Sequence, residues 1–233
     1  MVVPAYNEER RLPATLARVI AYLQEHEALQ PAEIVVVDDG STDRTAAVGE
    51  NADSVPGVRV RVVRLDRNRG KGAAVRAGLA ASRGERVLIS DADLATPIEE
   101  VERLLASAVD VAVGSRGVRR ELIVERQPLA RDTMGRIFNL ILRTLRLTRL
   151  RDTQCGFKLI EGSLARRLAA ELRLDGFAFD VELLARSARA GATIAEVPVL
   201  WRHVEASRVR PLRHGGQMLR DVLRLRIWLC LGR

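Results

Sequence analysis

The run VLISDADLATP, residues 87–97, carries two carboxylates one residue apart, Asp91 and Asp93, immediately after residues that read as a strand. Just past a strand end, both side chains can turn toward one site. Paired carboxylates suit a hard divalent cation, Mg²⁺ or Mn²⁺, which takes oxygen ligands and keeps positions open for phosphate oxygens. From these residues alone a second reading stands beside the first: Asp93 caps a helix that starts before LATPIEEVERLL, and Asp91 is solvated.

Three further stretches carry groups of the same kind. EIVVVDDGSTDRT, residues 33–45, ends a buried strand in Asp38 and Asp39, with the next helix expected near Asp43. An acid at such an edge can accept hydrogen bonds from a ribose or a base, although a turn with an N-cap uses the same residues. NRGKGAAVRAG, residues 68–78, sets Lys71 between two glycines at a helix start, a corner suited to phosphate. It lacks the GxxxxGK[ST] spacing of a P-loop. PAYNEE, residues 4–9, adds an aromatic ring and acids at the end of the first strand.

The elements that must position these groups follow from the apolar pattern. Up to about Ser115, β-branched runs at 2–3, 33–38, 58–65, 86–90 and 109–115 alternate with segments of helical spacing such as Leu12, Leu16, Val19, Ile20 and Leu23. That alternation predicts an α/β fold with a mainly parallel sheet flanked by helices. In such sheets ligands bind beyond the carboxyl ends of the strands, where Asp38, Asp39, Asp91 and Asp93 all fall. After Ser115 the pattern predicts a long basic helix over 128–150, a helix near 180–190, a strand near 193–201 and a basic amphipathic helix over 215–231. No repeat or linker divides the chain, so a single domain over 1–233 is expected, with 1–115 as its nucleotide-binding half.

Bulk properties bound the function classes. A 47% hydrophobic, 29% charged composition is that of a soluble globular protein, and no run reaches the ~18 apolar residues of a spanning helix. The net charge of +8 points to phosphates, anionic lipid headgroups or nucleic acid. It comes almost wholly from arginine, since Lys71 and Lys158 are the only lysines. Aromatic residues at 3% leave few stacking platforms for single strands, which disfavours a nucleic-acid partner. Cys155 and Cys230 fit no metal or redox spacing and read as reduced thiols of a cytoplasmic protein; Cys155 reads as a buried thiol rather than a nucleophile. MVVPAYNEE does not read as a secretory signal peptide, and the short run before Pro4 leaves room for a start upstream of Met1.

Taken in order, PAYNEE, VVDDGSTD, NRGKGAAV and SDAD resemble family 2 of the inverting, nucleotide-sugar-dependent glycosyltransferases of GT-A fold. RDTQCGFKLI, GFAFDVELL and EVPVLWRHVEASRV are similar to the dolichyl-phosphate β-glucosyltransferases and their bacterial polyprenyl-phosphate relatives. The resemblance implies that Pro4, Tyr6 and Glu8 help hold the nucleotide, that Asp39 contacts base or ribose, and that Lys71 lies near the nucleotide. It implies further that Asp91 binds the donor, that Asp93 with Asp91 ligates the Mg²⁺ or Mn²⁺ bridging the diphosphate, and that Val37 and Ala92 adjoin the substrate. Arg116, Arg131, Ser207 and Arg208 match positions expected to meet acceptor or donor phosphates. Ala206, Ser207 and Arg208 stand where the family commonly has Gly-Ser-Lys, and an arginine there keeps the charge but changes the geometry. Asp152 and Asp180 are expected to orient the acceptor region.

The QxxRW motif of processive synthases is absent from the sequence, which favours a single transfer. A lipid monophosphate acceptor is already an ionised nucleophile and needs no general base, unlike a sugar hydroxyl. The expectation is therefore transfer of one hexose, glucose from UDP-glucose or else mannose from GDP-mannose, to a polyprenyl or dolichyl phosphate. The two basic amphipathic helices are expected to lie on the cytosolic face of a membrane, or alternatively to bury their apolar faces in the core. A non-catalytic phosphate- or nucleic-acid-binding module is the rival from another class.

Overall fold

The computed structural model describes residues 1–125, 129–202 and 211–232, with the side chains of all of these except 120, 129–132 and 211–214. Seven strands form one sheet: β1 (Val2–Ala5), β2 (Ala32–Asp38), β3 (Val58–Arg64), β4 (Arg86–Ile89), β5 (Val111–Ser115), β6 (Lys158–Glu161) and β7 (Ile194–Pro198). Their order is β3-β2-β1-β4-β6-β5-β7. All neighbouring pairs are parallel except those made by β6, which runs antiparallel to β4 and to β5.

The helices are α1 (Leu12–Glu25), α2 (Thr45–Glu50), α3 (Lys71–Ala81), α4 (Val101–Ala106), α5 (Leu129–Thr144), α6 (Gly162–Glu171), α7 (Phe179–Arg189) and α8 (Pro211–Cys230). They sandwich the sheet because its central strands are apolar on both faces. Ile34, Val35, Val36 and Val37 are all fully buried, with Val35 and Val37 in one core and Ile34 and Val36 in the other. The first core takes in the inner faces of α3, α6, α7 and α8, the second those of α1 and α4. α1 supplies Leu12, Leu16, Val19 and Leu23 at the spacing of one helical face, each worth about 1.5–3 kcal/mol when fully buried.

Three features depart from the sequence reading. β6 and α6 fall where no element is predicted. The helix expected to run to 150 stops at Thr144: Arg146 turns into the left-handed region at φ 54°, and Leu147 N–H donates back to the Leu142 carbonyl at 3.0 Å. Asp93 caps no helix either. Its carboxylate accepts from Ala95 N–H at 3.0 Å within a turn, and the following helical segment starts only at Ile98.

Candidate active site

The parallel strands β1, β2 and β4 end on one side of the sheet, and their C-terminal turns enclose a cleft of about 530 Å³. Pro4, Tyr6 and Glu8 come from the turn after β1, Asp39 from that after β2, and Asp91, Ala92 and Asp93 from that after β4. Lys71 enters from the start of α3, while Asp175, Gly176, Phe177 and Gln217 form the opposite side. Eight predicted site residues thus share one cleft.

At its base, Lys71 Nζ lies 2.5 Å from Asp91 Oδ1. Burial alone would lower the Lys71 ammonium, but the charges of Asp91 and Asp180 overcome it and hold the pKa above its ordinary value. Asp93 is pushed up, by burial first and by the adjacent Asp91 second. A carboxyl raised in this way is partly desolvated beside a like charge, and a divalent cation bound there would stabilise its ionised form. Two carboxylates in one turn are oxygen donors of the kind that Mg²⁺ and Mn²⁺ take. Among the described residues no group of three or more His, Cys, Asp or Glu gathers around such a point, which leaves the remaining coordination positions to donor oxygens and water.

The helix start at Lys71 differs from an open anion site. The amides of Gly72 and Ala73 donate to the Asp175 carbonyl at 2.8 and 3.2 Å, so the phosphate-facing group at this corner is the ammonium rather than the helix amides. Gly70 sits at φ 113° with the Asp175 backbone packed where a Cβ would be, a conformation that glycine adopts without strain. Asp39 holds the same loop by accepting from the amides of Arg69 (2.8 Å) and Gly70 (2.9 Å). Its carboxyl is nonetheless raised, by burial first. Glu8 forms a two-bond pair with Arg11, at 2.6 Å each.

Other predicted residues lie elsewhere. Val37 is fully buried in the core, where its side chain lies against Gly78 on α3, so it does not line the cleft. Arg116 also lies off the cleft lining: Asp152 grips it at 2.6 and 2.8 Å, and its guanidinium stands 5.3 Å over the Trp201 ring. Burial would raise Asp152, but Arg116 reverses this and leaves the carboxyl below its usual range. Arg131 belongs to α5, and its side chain is outside the described set; Ser207 and Arg208 lie outside the described residues. Cys155 is buried and its thiol raised, by burial first, which makes it a poor nucleophile.

Several residues at the site had no role assigned from the sequence, although Gly156 lies within RDTQCGFKLI and Gly176 and Phe177 open GFAFDVELL. Gly156 presents its Cα to the Asp91 carboxylate, which occupies the place a Cβ would need. Asp175, Gly176, Phe177 and Gln217 come from loops and a helix whose position depends on the tertiary fold. Besides those two motifs, the scarcity of lysine was a clue: Lys158, the other lysine of the chain, is fully buried and donates to Asp180 at 2.5 Å.

Comparison with known proteins adds the following. Residues 1–171 match the profile described as "Glycosyl transferase family 2". The dolichyl-phosphate beta-glucosyltransferase of Mus musculus is 38% identical over 240 residues, covering 97% of this chain and 74% of that protein. The enzyme of the same name from Saccharomyces cerevisiae is 32% identical over 252 residues, covering 100% and 75%. Among solved structures, glucosyl-3-phosphoglycerate synthase from Mycobacterium tuberculosis in complex with Mn²⁺ and UDP-glucose superimposes with TM-score 0.63 at 25% identity, over 95% of this chain and 75% of that one. Mannosyl-3-phosphoglycerate synthase from Rubrobacter xylanophilus reaches TM-score 0.72 at 20% identity, over 100% and 74%, and shares the fold.

Proposed function

The chain belongs to glycosyl transferase family 2, and from that premise we propose that it moves one glucose from UDP-glucose to a polyprenyl phosphate of dolichyl type, with inversion, at the cytosolic face of a membrane. That it is a glycosyltransferase of GT-A fold follows from the family, from the curated relatives and from the structural likeness. The observation that carries the finer reading is the Asp93, Asp91 and Lys71 cluster at the base of a cleft on the carboxyl edge of the sheet. The relatives, dolichyl-phosphate beta-glucosyltransferases, support this choice of sugar and acceptor class.

Breaking the bond between sugar and diphosphate develops negative charge on the leaving group. In this assignment the Lys71 ammonium stabilises that charge from the start of α3, Asp91 orients Lys71 and contacts the donor, and Pro4, Tyr6, Glu8, Ala92 and Asp39 hold the nucleoside end. Asp93 with Asp91 would hold a divalent cation, whose bound form supplies neutralisation of the diphosphate. The acceptor phosphate attacks as an anion, so no side chain need take its proton. Arg116, fixed in one orientation by Asp152, is assigned to that phosphate together with Arg131, Ser207 and Arg208.

No helix among the described residues is long and apolar enough to cross a membrane. Exposed Met134, Ile137 and Leu140 on α5, and Leu219, Leu223, Ile227 and Leu231 along and just beyond α8, support peripheral attachment to the bilayer that carries such an acceptor.

The test is transfer of radiolabelled sugar from UDP-glucose and, in parallel, from GDP-mannose into lipid-extractable product with polyprenyl phosphate. Glucose label that vanishes with EDTA and in Asp93→Ala is the expected result. Mannose label would keep the mechanism and overturn the donor. UDP-glucose binding without lipid product would overturn the acceptor.

A further inference from the structure

Behind the cleft lies a buried ion pair that includes Asp180, expected from the sequence to orient the acceptor region, and that the proposed transfer step does not itself use. Lys158 is fully buried at the start of β6, where its partner in the register is Ile89, the last residue of β4. Its Nζ donates to the Cys155 carbonyl and to Asp180 Oδ1, each at 2.5 Å. Asp180, 5% exposed, sits in the first turn of α7. A buried ion pair contributes little net stability, because desolvating two charges consumes most of their attraction.

The position of the pair accounts for its presence. Lys158 fixes the Cys155 carbonyl, and the next residue, Gly156, is the surface against which the Asp91 carboxylate rests. After Asp91, the Asp180 carboxylate is the next charge that helps hold Lys71 protonated. Its neighbour Phe179 places its ring 5.9 Å below the Lys71 ammonium and its Cβ against Gly72. One buried pair therefore ties together the floor under Asp91 and the wall beside Lys71.

We propose that Lys158 and Asp180 are positioning residues: their ion pair sets where Asp91 and Lys71 stand, and touches no substrate itself. The proposal rests on the assignment of Lys71 and Asp91 to the donor diphosphate. Its first test does not need that assignment, because a chain with two lysines gives a simple spectrum. In protein labelled with ¹³C at lysine Cε, the signal that disappears in Lys71→Met identifies Lys71. Asp180→Asn, nearly isosteric, should move that signal in protein that still folds, with a lowered melting temperature because the Lys158 charge is left without its partner. A Lys71 signal that keeps its place in folded Asp180→Asn overturns the proposal.

A kinetic cycle supplies the second test. Lys158→Met/Asp180→Leu, an apolar replacement, is expected to lower kcat about 100-fold in the Lys71-containing enzyme, with a smaller change in KM for the donor. In the Lys71→Met background the same replacement is expected to cost less than 3-fold more. Equal losses in both backgrounds would mean that the pair acts independently of Lys71 and would overturn the proposal. Should the double replacement fail to fold, the same cycle run with Asp180→Asn decides. If the unaltered protein binds neither UDP nor UDP-glucose with Mn²⁺, the functional assignment fails, and the spectral test still judges the pair.

Discussion

Asp93 and Gly156 act on the same carboxylate pair by opposite means, one by supplying charge and the other by leaving room. Replacing Asp93 with Asn removes the charge and keeps the shape. Calorimetric titration of UDP with Mn²⁺ is expected to show at least a 10-fold loss of affinity, and transfer to fall by 100-fold or more, consistent with loss of an electrostatic group worth about 3 kcal/mol at the transition state. Undiminished metal-dependent UDP binding would exclude Asp93 as a ligand. Gly156→Ala places a methyl group where the Asp91 carboxylate lies. Asp91 must then leave its position 2.5 Å from Lys71, so kcat is expected to fall by about 10-fold or more with the fold preserved; an unchanged kcat would show that the Gly156 floor is dispensable. SDAD was legible in the sequence because charge at a strand end is conspicuous. The contribution of Gly156 was not, since it consists of an absent side chain beside a residue 65 positions away in the chain. Val37 illustrates the converse: it belongs to the same motif as Asp39 yet does not line the cleft, because β2 is covered on both faces and either orientation of its side chain ends in a core.

At the scale of elements, the β6–α6 junction shows what a turn can conceal. Glu161 ends β6 and caps α6, its carboxylate accepting from the amides of Ser163 (2.9 Å) and Leu164 (2.7 Å). The Ser163 hydroxyl, which donates to the same carboxylate at 2.7 Å, and then these two amides lower its pKa from 4.5 to about 2. The carboxylate is largely in water, so its worth is that of an N-cap, about 1 kcal/mol. Because the folded pKa is depressed, this stability is fully present above pH 4.5 and is lost as pH falls toward 2. Glu161→Ala should therefore unfold about 1 kcal/mol more easily in denaturant at pH 7, and the gap should close between pH 4.5 and 2; a gap that persists at pH 2 would assign the effect to something other than the ionised cap. The parallel strands β2 and β3 were legible because their β-branched runs are long. β6 was not: four residues, KLIE, include a fully buried lysine whose partner lies on another element, so neither length nor alternation announces a strand. The early end of α5 was hidden for a related reason, since Arg146 adopts φ 54°, a conformation that the residue type does not advertise.

For the whole molecule, the central question is how a chain without a described spanning helix would reach a lipid-borne acceptor. The inner face of α8, from Met218 through Val222 and Leu225 to Leu229, is buried in the core shared with Leu142 of α5. Its outer stripe, Leu219, Leu223 and Ile227 with Leu231 just beyond, stays 40–63% exposed. The two alternatives for this helix, core packing and membrane contact, thus describe its two faces. Gln217, one residue before the buried Met218, lines the cleft at the carboxyl edge of the sheet, so a bilayer meeting α8 would lie near that cleft. Half-burying four such side chains is worth about 1 kcal/mol each, and exposed Arg220, Arg224 and Arg226 add about 1 kcal/mol each on an anionic surface. Neither contribution alone holds a 25.8 kDa protein firmly, whereas the two together give reversible attachment that depends on both lipid charge and salt. Leu223→Ser with Ile227→Ser should weaken sedimentation with vesicles containing anionic phospholipid by 10-fold or more while leaving UDP affinity in solution intact. Raising salt from about 0.1 M to about 0.5 M should weaken the unaltered protein as well, because the Debye length shortens. Binding that survives both changes would place the membrane contact on another face and leave the outer stripe of α8 without a lipid partner.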